Sequence, residues 1–510
     1  MNRISKRRRL LNTIVLCIAP VFIIVLAMLL KQHVGPYWLG SNTDPEYAYL
    51  LNSLNITLHK LIAHIDHPGT TLQVLGAAVI VILHLTRHGQ PLLYDVLKFP
   101  EIYLSAINLT LVIVIAVSVF LVGVFTLSLT KNIAYALILQ CTPFFSVTLL
   151  NVLYRVSPEP MLLCILLWFS YFVLYAYYHK NNTDFGTTVF LSITTGFALV
   201  TKITAIPLIF VPLAFLSIKN KLLYFVMTLS SFIFFTLPIS ERYGQFADWV
   251  YRLMLNTGTY GTGDPLIINM NSFSQNLILI TTSQKYLSAM VIILVLLLLV
   301  TAFRKNNRAY RFSFILGLLV FFISQIFMVS KYYVAHYLVP SLGLLGISTV
   351  LLLIIIKQRF PRAYAKVMIA TCSILFAVAL YNIIVTVQTT RGVSSEYTKA
   401  LDMKRFIKNT YPCAITITYY HSSSPVYALW FGSYFASNFY SRELTKIYSR
   451  QYFYDIWADR FYNWSSDPIP MPTEGTVLFQ GQPIIKTKLS VGLKDVYGGE
   501  PTGETVYAAM

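Results

Sequence analysis

"TTLQVLGAAVIVILHL", from Thr70 to Leu85, decides how the rest of this chain is read. The run is only 16 residues long and carries His84 near its end. A helix that crosses a hydrocarbon core of about 30 Å needs roughly 20 apolar residues. If this run spans a bilayer, everything after it changes side. If it lies in the interface, the spans are the apolar runs near 11–30, 105–129, 132–152, 161–179, 187–201, 203–218, 222–238, 283–303, 312–330, 337–356 and 367–387.

The basic residues choose between these readings, because short cytoplasmic loops collect Lys and Arg. With the run in the interface, Arg3 to Arg9, Lys131, Lys180, Lys219 with Lys221, "RKNNRAYR" from Arg304 and "KQRFPRAYAK" from Lys357 all fall on one side. With the run spanning, the N-terminal cluster opposes the two richest later ones. The interfacial reading gives about eleven spans by the length rule, a cytoplasmic N-terminus and an extracytoplasmic tail. The expected fold class is therefore an all-α polytopic membrane protein, with a transmembrane domain over 1–387 and a small extracytoplasmic α/β domain over 388–510.

Composition agrees. Of 510 residues, 56% are hydrophobic and 12% charged, which excludes an ordinary soluble domain. The net charge of +19 sits in short clusters between apolar runs, as in loops beside anionic lipid, so nucleic acid is excluded as a partner. The five cysteines, Cys17, Cys141, Cys164, Cys372 and Cys413, form no CxxC pair, and no disulfide framework or zinc site follows. The start "MNRISKRRRL" precedes an apolar run long enough to span, and reads as a first helix with its basic end inside.

The same parity places "DPEYAYLLNSLNITLHKLIAHIDHPG" from Asp44, "YRVSPEP" from Tyr154, Lys202, the loop from Glu241 to Asn276 and "SKYYVAHYLVP" from Ser330 on the outer face. In the first of these, Tyr47, Leu50, Leu51, Leu54, Leu58, Leu61 and Ile62 recur at helical spacing with Asn52, Asn55 and Lys60 opposite. That pattern predicts an amphipathic helix along the membrane surface. Asp44 stands at its start, where acid and Pro45 favour a helix N-terminus, and a cap is the commoner use of such an aspartate. Glu159 changes the balance, since ionisable groups at membrane depth usually face a site. Two outer carboxylates position and deprotonate an acceptor, or hold a divalent metal; the plainer reading of Glu159 is a local salt bridge with Arg155.

Basic donors complete the set. His67, before Pro68 and Gly69, is expected to be extended, and its imidazole is suited to an anion or to its neighbours. Lys202, in "GFALVTKITAIPL", is flanked by apolar residues and must snorkel or pair, and a phosphate is a natural partner. Lys331 and His336 place further donors at the end of a span. "NTGTYGTGDP" from Asn256 lacks the context of a nucleotide-binding loop and reads as a turn-rich loop, with Arg242, Tyr260 and Asp264 as substrate-binding candidates.

Taken in order, these segments resemble the GT-C superfamily of polyprenyl-phosphate-sugar-dependent glycosyltransferases, in the branch of the lipid A aminoarabinose transferase and the protein O-mannosyltransferases. The resemblance rests on "DPEY" (Asp44, Glu46, Tyr47), "HPG" (His67, Pro68), Glu159, the G-x-A-x-x-T-K segment (Gly196, Ala198, Thr201, Lys202) and "HYLVP" (His336 to Pro340). The family's adjacent acid pair is interrupted here by Pro45, and Glu159 stands where aspartate is frequent. The resemblance implies a bacterial cytoplasmic membrane enzyme that moves a sugar, with inversion, from a polyprenyl-phosphate donor to a lipid, glycan or protein acceptor. It makes Asp44 the base and His67 and Lys202 phosphate ligands, with Glu159 matching the family's second acid as a further catalytic candidate; Lys331 and His336, from their place at the end of a span, are added as donor phosphate-binding candidates. Glu46, Tyr47, Arg155, Arg242, Tyr260 and Asp264 would line the substrate, and a divalent metal remains open. The rivals are a transporter or flippase of a lipid-linked saccharide, which predicts midplane charges and inverted repeats, and a polymerase or ligase with a diphosphate-linked donor.

In the tail, "EYTKALDMKRFIKNTYP" reads as a helix, "AITITYY" as a strand, "SPVYALWFGSYFA" as a helix, and "GTVLFQG" and "ETVYAAM" as strands. The aromatic stretch "YSRQYFYDIWADRFYNW" is expected to build a core.

Overall fold

Long apolar runs become long helices. The computed structural model describes residues 2–39, 43–87, 89–179, 185–255, 266–302, 309–449, 451–465, 467–473, 475–482, 493–497 and 505–509. Among them, seven helices are long and apolar enough to cross a membrane: Leu10–Val34, Pro100–Thr130, Pro158–Tyr178, Ile218–Leu255, Phe312–Ser330, Ala335–Arg359 and Pro361–Thr410. The chain is a multi-pass membrane protein by this measure. The short apolar run "TTLQVLGAAVIVILHL" forms a single 16-residue helix, Thr70–Leu85.

Four expected spans differ, each for a local reason. The run 132–152 breaks into Ile133–Gln140, a 3-10 turn Thr142–Phe144 holding Pro143, and Val147–Asn151, which Ser146 caps through Thr148 N at 3.1 Å. Proline removes a helix donor and an extended serine restarts the helix. The runs 187–201 and 203–218 become the short helix Phe185–Thr201 and the pair Ile203–Ile209 and Phe210–Phe215, parted by Lys202 in extended conformation and interrupted by Pro207. The run 283–303 is half of a pair, Met270–Ser283 and Lys285–Leu299, bent by 95°. Much of the expected loop from Glu241 to Asn276 is helical, with Tyr243–Leu255 entering it and Met270–Ser283 leaving it.

The chain forms two compact units. The first comprises Met1–Met28, Ile65–Thr71 and Leu111–Val387; the second comprises Leu29–His64, Leu72–Thr110 and Gln388–Met510. The tail thus shares its unit with Leu29–His64 and Leu72–Thr110.

The second unit carries a six-stranded mixed sheet built from β1 (Ile415–Tyr419), β2 (Tyr452–Asp455), β3 (Arg460–Tyr462), β4 (Val477–Gly481), β5 (Leu493–Tyr497) and β6 (Thr505–Ala509). The order is β3-β2-β1-β4-β6-β5, with β1 parallel to both β2 and β4 and the outer pairs antiparallel. Side chains alternate between faces as a strand requires. Ile417, Tyr419, Tyr454, Val477, Phe479 and Tyr507 form one core, while Leu478 and Val506 pack with Met403 and Ile407 of the helix Pro361–Thr410 on the other. The aromatic stretch builds core as expected: Phe453 stacks on Trp430 at 5.1 Å and meets Trp464 edge-on at 5.0 Å.

The helix predicted around Leu50 runs over Thr43–Thr57, so Asp44 lies inside its first turn rather than before it. Its polar face is not solvated, contrary to the amphipathic reading, because Asn52 and Asn55 are fully buried. Asn52 accepts from Ala63 N and His64 N at 2.8 and 3.0 Å and donates to Ala48 O and Phe435 O at 2.8 and 3.0 Å. Asn55 donates to Leu61 O at 2.8 Å and accepts from Tyr440. Buried amides must be satisfied, and these are satisfied by the neighbouring chain and the tail together. The helix Pro425–Tyr434 lies close enough that a methyl at Gly432 would sit 2.8 Å from Tyr47 O. Gly432→Ala is therefore expected to destabilise the unit by about 1–3 kcal/mol, as overpacking does, read as a lower melting temperature in detergent.

Asp95, in the short helix Leu92–Lys98, ties the same unit together. Arg87 Nε and Nη2 donate to its two oxygens at 2.8 and 3.0 Å, Tyr103 donates a third bond, and His84 Nδ1 lies 3.7 Å away. The Arg87 guanidinium holds the Asp95 carboxyl below its usual range. A depressed carboxyl contributes stability that is present above the unfolded pKa of about 3.9 and lost as pH falls through the folded value. Arg87→Met should thus lower the melting temperature at pH 7. The melting-temperature gap to the parent should persist at pH 5 and narrow only below about pH 4.

Candidate active site

In the first unit, residues 69–71 are tied to the end of the helix Phe185–Thr201 and to Phe235. Gly69 N donates to Val200 O at 3.0 Å, the Thr71 and Thr201 hydroxyls bond at 2.9 Å, and Thr70 Oγ1 donates to Phe235 O at 2.8 Å. The "HPG" turn is thereby fixed against the end of the helix that carries Lys202. His67 is not extended as its proline predicts; its φ is 75°. That left-handed conformation is uncommon for a residue with a side chain, and where it occurs the surroundings impose it. The imidazole meets Trp249 edge-on at 5.3 Å and Tyr337 at 6.0 Å.

Lys202 ends the helix Phe185–Thr201 at a break with φ −156° and ψ 120°. Its side chain is 1% exposed, and Nζ donates to Glu159 Oε1. The ammonium also lies 4.8 Å from the centre of the Tyr337 ring, a cation–π contact. Glu159 is in the first turn of Pro158–Tyr178, behind Ser157 and Pro158, where the helix dipole favours a carboxylate. His336, in the turn Ala335–Leu338, sets Nε2 3.9 Å from the same Glu159 oxygen. Its side chain is 43% exposed against 6% for Glu159, so His336 is the accessible member of the pair. Arg155, half-buried, is close enough to repel both Lys202 and His336. Lys202 and His336 thus meet at one carboxylate with Arg155 near both of them, and Glu159 takes Lys202 as its ion-pair partner.

Two other expected residues hydrogen-bond elsewhere. Arg242 Nη1 donates to Gln245 at 3.0 Å, and Lys331 Nζ donates to Met254 O at 2.7 Å, satisfying a carbonyl at the end of Tyr243–Leu255. Tyr260 and Asp264 lie outside the described residues. Asp44, Glu46 and Tyr47 belong to the second unit. The side chain of Asp44 lies outside the described residues; Glu46 is fully buried, and Tyr47 donates to Glu101 at 2.7 Å. Among the described residues no group of three His, Cys, Asp or Glu side chains is arranged to hold a metal.

Trp249, Tyr337 and Glu101 escaped the sequence reading. Tyr337 lies within the quoted "HYLVP", but with 15% aromatic residues in the chain one more tyrosine carries no contrast. Trp249 sits on a helix that the expected loop concealed.

No protein-family model matches the chain, and no curated protein matches it. Among solved structures, it is similar to ArnT from Cupriavidus metallidurans bound to undecaprenyl phosphate, at 12% identity and a TM-score of 0.49, over 96% of this chain and 97% of that one. The apo state of the same protein gives 11% identity and a TM-score of 0.49 over the same shares.

Proposed function

We propose that this chain is a membrane glycosyltransferase of GT-C type that moves a sugar from a polyprenyl-phosphate donor to a lipid, glycan or protein acceptor on the outer face. The observation that carries the reading is the group made by Lys202, Glu159, His336 and Arg155, joined to His67 through Tyr337. A buried lysine paired with one acid, with a histidine and an arginine beside it, suits an anion that arrives from the membrane. The order of "DPEY", "HPG", Glu159, the Lys202 segment and "HYLVP" along the chain supports the same choice.

The chemistry follows from charge. The donor is a phosphodiester with one negative charge; when the bond from the anomeric carbon to the phosphate oxygen breaks, both electrons stay on that oxygen. The product phosphomonoester carries about 1.5 to 2 charges near neutral pH. Fixed cations therefore hold the departing group more strongly than the substrate, which lowers the barrier rather than only tightening binding. The acceptor oxygen or nitrogen forms the new bond from the opposite face, and Asp44 takes its proton as general base. Glu159, paired with Lys202, is better suited to keep that ammonium charged and aimed than to act on the acceptor. His67 and His336 supply further donors to the phosphate.

Purified protein in vesicles, given polyprenyl-phosphate sugars and a membrane extract as acceptor source, is expected to release polyprenyl phosphate. Intact donor recovered from the opposite leaflet, with no cleavage, would instead identify a flippase.

A further inference from the structure

A half-buried carboxylate outside the proposed phosphate group has an unusual set of partners. The chain leaves its first helix, Asn2–Val34, through Gly35 at φ 76°, and Lys31 Nζ donates to Gly35 O while lying 3.3 Å over the Tyr37 ring. Immediately beyond, Tyr37 N and Trp38 N donate to the two oxygens of Glu101, at 2.9 and 3.1 Å. Two successive backbone N–H groups closing on one carboxylate make an anion nest. The Tyr47 hydroxyl then donates to Glu101 Oε1 at 2.7 Å, and Tyr47 is fully buried. Glu101 itself is anchored in the first turn of Pro100–Thr130. Through one side chain it grips residues 37 and 38 on one side of Asp44 and residue 47 on the other. Asp44 in the first turn of Thr43–Thr57 and Tyr47 at the start of the next are three residues apart on one side of the helix, so fixing Tyr47 fixes the rotation of the turn that carries Asp44.

We infer that Glu101 is a positioning residue that sets the first turn of Thr43–Thr57, and with it Asp44, for proton abstraction. The inference rests on the reading of Asp44 as base. A carboxylate suits the task because it accepts several charge-assisted bonds at once, whereas a neutral amide of the same shape turns its NH2 toward one of the donors and loses that bond. Tyr47 stays a donor, since burial and the neighbouring Glu101 raise its pKa well above the usual value.

The test uses the full chain in nanodiscs with two variants, Glu101→Gln and Tyr47→Phe, and two measurements that do not depend on each other. Steady-state turnover of a polyprenyl-phosphate sugar is expected to show kcat lower by up to about 10²-fold in Glu101→Gln, as misplacement by about 1 Å does. The donor KM should change by less than a factor of about two, because uniform binding is untouched. Hydrogen exchange should speed up at residues 37–38 and 43–47 in Glu101→Gln, and at 43–47 in Tyr47→Phe, with the tail sheet unchanged. Should Glu101→Gln fail to fold, Tyr47→Phe carries the same two readouts. Unchanged exchange at 43–47, or faster exchange with unaltered kcat, overturns the inference and leaves the glycosyltransferase reading standing. A parent protein that turns over no donor, with exchange still accelerated in the variants, removes the role given to Asp44 while confirming that Glu101 holds the turn.

Discussion

Asp44→Asn is expected to lower kcat by about 10²–10⁴-fold while leaving donor KM nearly unchanged. The substitution keeps size and shape, and asparagine still favours a helix N-terminus, so the turn at Thr43–Thr57 should form as before. What it removes is the capacity to take a proton from the acceptor. A loss confined to kcat separates this role from a capping role, in which stability would fall and the turnover of folded protein would not. The measurement is release of polyprenyl phosphate by purified parent and variant, normalised to folded protein. Undiminished turnover would take the base away from Asp44.

The second large effect concerns Lys202. Lys202→Met strips Glu159 of its ammonium at a site where the two side chains are 1% and 6% exposed. An uncompensated buried charge costs about 3–5 kcal/mol, whereas replacing both partners of such a pair is often close to neutral. Lys202→Met alone should thus lower the melting temperature and abolish turnover, and the double variant Glu159→Gln with Lys202→Met should recover stability without recovering turnover. That divergence distinguishes a cation kept for phosphate from one kept only to neutralise Glu159. A double variant that is both stable and active would assign the pair to structure.

How far the sequence revealed these features depends on contrast. Glu159 and Lys202 stood out because charge is rare in apolar runs, yet nothing local announced that residues 43 positions apart pair with each other. Asn52 and Asn55 misled for the opposite reason. A polar face that meets water and one that meets the tail read alike, and their partners Phe435 and Tyr440 lie more than 380 residues away in the chain. The spans that broke did so at Pro143, Ser146, Lys202 and Pro207, which length counting ignored. In the tail, the strands around Ile417 and Phe479 were legible from alternation, while the hairpin of β2 and β3 was not. Its turn is made by Asp455 accepting from Trp457 N and Ala458 N at 2.8 and 3.1 Å, an Asx signal hidden among aromatics.

The most direct test of the account is a cryo-EM map of the protein with undecaprenyl phosphate bound. A phosphate oxygen within hydrogen-bond reach of Lys202 Nζ, about 3.2 Å or less, with His67 or His336 turned toward it, is the result expected. A phosphate seated elsewhere, with Lys202 still held by Glu159 alone, would contradict the claim that this group receives the leaving lipid.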